Sequence, residues 1–181
     1  LAEYGIDINT GIWAECPVYS SVVINDYDNF VNQFDTNLQY DLVKAMPVLS
    51  KAVATTPQYL FPNRMICGFG DTHPGYLSTN FFIRMIQNAQ ANGKKEQENY
   101  FTALLKCLNP DLGNDKTEKK NVRVSVNSFF EDKPLTLKPK VQPGKIEDYV
   151  SSLFYAPNVS WLVQRNGMHP RNSLMISLNG S

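Results

Sequence analysis

The sequence has no excess of charge of either sign. It carries 17 Lys and Arg against 17 Asp and Glu in 181 residues, so its formal net charge is zero. Nucleic-acid-binding proteins usually present a basic face, and this balance therefore argues against a nucleic-acid partner. An anionic sugar is not excluded, because a few local cations can bind it within a balanced total.

Long hydrophobic runs and metal-ligand patterns are also missing. No segment approaches the run of about 18 apolar residues that a membrane helix needs, and no signal peptide is present. The chain starts at Leu1 and not at Met, which indicates a processed or excised piece. The only histidines, His73 and His169, lack ligand spacing, so we expect no metal or other cofactor in this chain.

Cysteine is scarce as well. The three cysteines are far apart and match neither CxxC nor zinc-finger spacing. Free cysteines are usually buried, so we expect Cys16, Cys67 and Cys107 to be small core residues. What the sequence does have is 43% hydrophobic and 12% aromatic residues, enough for a folded core in one domain or two unequal ones.

The first two-thirds of the chain has the apolar spacing of helices. In the first segment, Val23, Tyr27, Phe30 and Phe34 fall three or four residues apart. The predicted helices cover about 18–34, 38–54, 76–91 and 94–108. Pro47 predicts a kink or a break in the second helix, and an Asn-Gly pair at 92–93 predicts a tight turn that makes a helical hairpin of the last two.

The remaining third predicts strands after a connector. Apolar and polar residues alternate over 122–126, 160–165 and 174–178, and Asn166-Gly167 is typical of a hairpin turn. One hairpin cannot bury its own face, so we expect the chain to be cut inside a β-domain. The predicted fold class is mainly α followed by a short antiparallel β segment, α+β overall.

Residues 11–20, Gly-Ile-Trp-Ala-Glu-Cys-Pro-Val-Tyr-Ser, bring the most chemistry together. Trp13 and Tyr19 can stack on sugar rings, while Glu15 and the Tyr19 hydroxyl can bind sugars or move protons. Structural alternatives stay open for all three. Trp13 and Tyr19 can be core residues, and Glu15 can act as a favourable negative charge near a helix N-terminus.

Residues 68–75, Gly-Phe-Gly-Asp-Thr-His-Pro-Gly, predict a loop with unusual backbone angles. Asp71 can fix the tautomer of His73, although a structural hydrogen bond within the loop is the alternative. Arg64, just upstream, can form forked bonds to sulfate or carboxylate, or a surface ion pair. His169, in the turn of the predicted strand hairpin, is expected to be exposed and without a role.

These two segments resemble motifs of the heparinase II/III-like polysaccharide lyases. Residues 11–20 resemble the family's helix-entry motif, 68–75 its loop between two toroid helices, and the tail from 154 the first strands of its β-sandwich. The resemblance implies C-terminal helices of an α/α toroid over 1–110, a connector with one strand over 111–150, and the first sandwich strands over 151–181.

The resemblance also implies a reaction. These lyases cleave uronic-acid-containing polysaccharides by β-elimination: the uronate carboxylate is neutralised, a Tyr or His takes the C5 proton, and a Tyr protonates the departing O4. Tyr19 stands at the position of the family's catalytic Tyr, so the resemblance implies that it is the proton donor or the base. The substrate-binding candidates are Trp13, Glu15, Arg64, Asp71 and His73. The family's other catalytic residues lie outside this chain, so we expect it to be inactive alone.

The family further implies a bacterial, periplasmic or secreted protein whose partner is an acidic polysaccharide such as heparin or heparan sulfate. Two other functions stay open on the residues alone. One is a carbohydrate-binding protein without turnover, and the other is a helical scaffold that meets a protein partner. The sequence does not specify the oligomeric state, the glycan's sulfation or the choice between endo and exo cleavage.

Overall fold

The computed structural model describes residues 5–67, 70–73, 75–110, 137 and 140–180. Five helices come first: α1 (Pro17–Asn37), α2 (Leu42–Ala45), α3 (Pro47–Thr55), α4 (Asn80–Ala91) and α5 (Lys95–Leu108). Three strands follow: β1 (Leu153–Ala156), β2 (Trp161–Arg165) and β3 (Met175–Asn179). This arrangement is α+β, as predicted. The expected strand at 122–126 and most of the connector lie outside the described residues.

Helix α1 begins where the sequence changes from extended to helical geometry. Cys16 is in an extended conformation and Pro17 takes the first helical position, where the missing N–H costs nothing. Ile24 and Val31 face the core, whereas Val22 and Phe30 are more than half exposed. Helical spacing alone therefore did not tell which apolar side chains of α1 are buried. Within the described part of the chain, no helix is long and apolar enough to cross a membrane.

Pro47 breaks the second predicted helix, as expected. Met46 is both the C-cap of α2 and the N-cap of α3, and Pro47 is the first residue of α3. Asp41 caps α2, since its Oδ1 accepts a hydrogen bond from the Lys44 N–H at 2.9 Å. The short helix α2 therefore separates α1 from α3.

Helices α4 and α5 form the predicted hairpin and carry the centre of the core. Phe81, Phe82, Leu104 and Leu105 are fully buried, and Gly93 makes the turn with a φ of +67°. The start of α4 differs from the prediction. Tyr76 is paired in an isolated antiparallel bridge with Met65 and lies outside the helix, which begins only at Asn80.

The sheet is antiparallel in the order β1-β2-β3. Pairing of β2 with β3 confirms the predicted hairpin, whereas β1 has only four residues and was not predicted. Trp161 and Val163 on one face pack against Ile12, Tyr59 and Cys67. The ring centroids of Tyr59 and Trp161 are 5.0 Å apart, so this face of the sheet rests on the chain that connects the helices.

A buried arginine also ties the sheet to the helical part. Arg165 is 4% exposed, and its Nη2 donates a hydrogen bond to the Gln58 carbonyl oxygen at 2.7 Å. The Gln58 side chain in turn accepts one from the Ser151 N–H at 3.1 Å. Burial lowers the pKa of Arg165, since a charged guanidinium loses hydration there.

The segment before α1 is held by close packing against α3. Ile6 and Trp13 form an antiparallel bridge, and the Thr55 hydroxyl donates to the Thr10 carbonyl at 2.6 Å. Gly11 has a φ of +80°, and a Cβ there would lie 2.8 Å from the backbone carbonyl of Lys51. The approach of this turn to α3 therefore requires glycine for two reasons, backbone conformation and space.

We predict that Gly11→Ala destabilises the protein more than Gly93→Ala. Both glycines have positive φ, but a Cβ at Gly93 meets nothing within 4 Å. The left-handed conformation should cost Gly93→Ala about 1 kcal/mol. Overpacking against Lys51 should add about 1–3 kcal/mol for Gly11→Ala. Urea unfolding of both variants measures the difference, and equal losses would contradict the packing argument.

Candidate active site

Tyr19 lies in the first turn of α1 and reaches a second segment of the chain. Its side chain is 48% exposed, and its hydroxyl donates a hydrogen bond to Oδ2 of Asp71 at 2.9 Å. The two residues are 52 positions apart in sequence. The structure therefore brings together one residue from each of the two segments that the sequence analysis singled out, at a position open to solvent.

Gly70 sets the position of Asp71. Its φ is +57°, and a Cβ at this residue would lie 3.0 Å from the Cβ of Cys16. Cys16 is the residue immediately before α1, so the loop passes directly over the start of the helix that carries Tyr19. Gly68, Phe69 and Pro74, which belong to the same predicted loop, lie outside the described residues.

Asp71 changes the acid–base chemistry of Tyr19. The hydrogen bond to the carboxylate, followed by the carboxylate's negative charge, raises the pKa of Tyr19 above its usual value of 10. Both effects stabilise the neutral phenol relative to the phenolate. Glu15 and Cys16 add smaller contributions in the same direction. The surroundings of Tyr19 therefore favour a proton donor and oppose a resting phenolate base.

Trp13 lies in the core and not at the surface. It is 3% exposed and packs with the helical core beside Tyr27, with ring centroids 6.1 Å apart. A sugar-stacking platform needs an accessible ring face. The interpretation of Trp13 as a platform is therefore corrected: its side chain belongs to the core cluster that includes Ile24 and Val31 of α1.

The other predicted binding residues are divided between two places. Glu15 and His73 are exposed and are close to the pair in sequence, Glu15 one residue before the N-cap of α1 and His73 two residues after Asp71. Arg64 is partly buried, and its Nη1 donates to the Cys107 carbonyl at 3.0 Å. This contact holds Arg64 at the C-terminal end of α5, where a cation is favourable.

One exposed aromatic residue directly after the glycine-rich loop was not singled out in the sequence. Tyr76 is 77% exposed and follows the glycine-rich loop directly, in its bridge with Met65. The sequence analysis placed it in α4, where it was one of several apolar residues. The sequence did contain a signal, because Tyr76 directly follows a Pro-Gly pair, which is typical of a turn. Its helical spacing from the following apolar residues led instead to its assignment to the helix.

The described residues offer little for metal or thiol chemistry. Across 5–67, 70–73, 75–110, 137 and 140–180, no group of three or more His, Cys, Asp and Glu side chains is placed to hold a metal ion. The three cysteines are free and buried, which confirms their predicted burial. Burial raises the pKa of Cys67 to about 11, so its thiol is not activated. His169 is exposed, as expected.

The comparison with protein families defines the class of this protein as a polysaccharide lyase. The model of the family described as "Endo-acting ulvan lyase 2nd domain" matches residues 9–147. This match covers most of the chain, including Tyr19 and Asp71, so the chain belongs to that family. No curated protein and no solved structure matches the chain. The lyase resemblance in the sequence is thus confirmed at the level of a polysaccharide lyase.

We predict that Gly70→Ala loosens the contact between Tyr19 and Asp71. The new methyl group must displace Cys16 or the loop, and the positive φ adds strain. The pKa of Tyr19 should therefore fall towards 10, as measured by the ultraviolet absorbance of tyrosinate. Gly75→Ala is the matched control in the same loop, since its Cβ would meet only the His73 carbonyl oxygen at 3.8 Å. An unchanged Tyr19 titration in Gly70→Ala would contradict the assigned role of Gly70.

Proposed function

We propose that this protein cleaves a uronic-acid-containing polysaccharide by β-elimination and that Tyr19 delivers the proton to the departing O4. The hydrogen-bonded pair of Tyr19 and Asp71 carries the proposal, because it places a neutral phenol at the surface within the family-matched residues. The half-exposed side chain can meet a polymer without any movement of the core.

The chemistry of β-elimination suits a phenol of raised pKa. A base removes the C5 proton, the electron pair forms the C4–C5 double bond, and the C4–O4 bond breaks. The departing alkoxide is a far stronger base than a phenolate, so proton transfer from Tyr19 stays favourable even when its pKa exceeds 10. As a base, Tyr19 would first have to ionise beside the negative charge of Asp71.

The family description directs the choice of substrate. It names ulvan and internal cleavage, whereas the sequence analysis named heparin and heparan sulfate. We propose an acidic glycan of the ulvan kind as the substrate, cleaved within the chain. A long polysaccharide is degraded outside the cytoplasm, so we also propose a periplasmic or secreted location for this protein.

Sugar contacts are proposed from exposed side chains at this surface. His73 and Glu15 can bond to the carboxylate and hydroxyl groups of a sugar, respectively, and both are exposed. Tyr76 offers the accessible aromatic face that Trp13 lacks. We also propose that α1 to α5 belong to an α/α toroid, whose base and carboxylate-neutralising groups come from outside this chain. Activity assays therefore use the complete lyase in which this chain occurs.

We predict that Tyr19→Phe lowers kcat by about 10²–10⁴-fold, the usual contribution of a general acid. The assay follows the ultraviolet absorbance of the unsaturated uronate during cleavage of ulvan, heparin and heparan sulfate. Tyr40→Phe is the matched control, because Tyr40 is similarly exposed at 50% but lies after α1. Full activity of Tyr19→Phe would remove Tyr19 from the mechanism. If the unaltered protein binds the glycan but forms no unsaturated product, a carbohydrate-binding protein is favoured.

We predict internal cleavage of the substrate. Size-exclusion chromatography of early reaction samples should show a rapid fall in mean polymer length while little unsaturated product has formed. Such behaviour is expected when bonds are cut at random positions along the chain. A slow fall in length, with disaccharides accumulating from the first minutes, would contradict the endo assignment.

A further inference from the structure

We propose that Asp71 is a positioning residue for Tyr19 and not a substrate-binding residue, and that it holds the phenol neutral and oriented between turnovers. The inference rests on the proposed function, because it assigns a role within the same reaction. It replaces the substrate contact that the sequence suggested for Asp71 with a contact inside the protein.

The geometry commits one carboxylate oxygen of Asp71 to the protein. Oδ2 accepts the Tyr19 hydroxyl at 2.9 Å, and the contact of Gly70 with Cys16 keeps the loop over the start of α1. This contact helps to hold both partners, because Asp71 follows Gly70 directly and Tyr19 lies in the first turn after Cys16. A hydrogen bond with these anchors orients the phenol along one direction, whereas an unbonded hydroxyl would rotate.

The charge of Asp71 also argues against direct substrate binding. The proposed substrate is a polyanion, and the carboxylate of Asp71 would repel its uronate groups, whereas Glu15 is proposed only against neutral hydroxyl groups. The same charge is useful next to a phenol. It opposes formation of phenolate in the resting site and so keeps the proton that the reaction needs.

The proton balance of the cycle is closed. The base takes the C5 proton, the C4–O4 bond breaks, and the O–H bond of Tyr19 breaks as the new O4–H bond forms. A phenolate then stands beside Asp71, where repulsion makes it strongly basic. It recovers a proton from water, the base returns its own proton to water, and no net proton, electron or co-reactant is consumed.

Removing the charge of Asp71 should change the activity in opposite directions, depending on whether Tyr19 is the acid or the base. Asp71→Asn lowers the pKa of Tyr19, since the amide oxygen can still accept the hydrogen bond but the charge is gone. If Tyr19 is the acid, activity is lost as Tyr19 ionises, so the alkaline limb of the kcat profile moves to lower pH. If Tyr19 is the base, more phenolate is present and activity near neutral pH rises.

We predict that Asp71→Asn moves the alkaline limb of the kcat profile to lower pH, towards 10, without a gain near neutral pH. Asp71→Glu, which keeps the charge, should restore part of the shift. Asp26→Asn removes an exposed carboxylate from the same helix as Tyr19 and serves as the control that should leave the profile unchanged. The measurement is kcat against pH in the complete lyase.

A second readout does not depend on turnover. The tyrosinate titration of Tyr19 is obtained as the difference between each protein and its Tyr19→Phe counterpart, and its midpoint should fall in Asp71→Asn. An unmoved midpoint, an unmoved alkaline limb or a gain of activity near neutral pH would overturn the role of Asp71 and leave the lyase function standing. If the midpoint moves but even the unaltered lyase forms no unsaturated product, the proposed function fails, and the acid role fails with it.

Discussion

The hydrogen bond from Tyr19 to Asp71 is the interaction on which the proposed chemistry of this protein depends. It joins the first turn of α1 to a loop 52 residues away, and it decides which form of the phenol is stable. A tyrosine in the same turn without this partner would ionise near its ordinary pKa. With it, the phenol keeps its proton and can act as an acid towards a leaving oxygen.

The fold supports this bond through close backbone packing. Gly70 lets the loop lie against Cys16, and Gly11 lets the turn before α1 lie against Lys51. Gly11 precedes α1 in the sequence and Gly70 follows it, and both contacts help to fix the backbone around the start of this helix. The packed rings of Tyr59 and Trp161 join the helical part to the sheet. The exposed pair therefore lies next to closely packed backbone, although it is at the surface itself.

Local signals predicted the elements that obey strong backbone rules. Pro47 ended one helix and began the next, Gly93 closed the helical hairpin, and β2 paired with β3. Prediction failed where a distant partner decided the conformation. Tyr76 has helical spacing but bridges to Met65. Strand β1 is too short for a periodic pattern and exists because β2 offers it a partner.

The sequence by itself determined which chemical groups are present and which two segments carry them, since residue types, glycines and prolines are local properties. Tertiary structure alone decided their use. Trp13 and Tyr76 are both aromatic residues next to candidate segments, yet one is 3% and the other 77% exposed. Asp71 bonds to Tyr19 because packing brings two remote segments together, and no spacing rule within either segment encodes that distance.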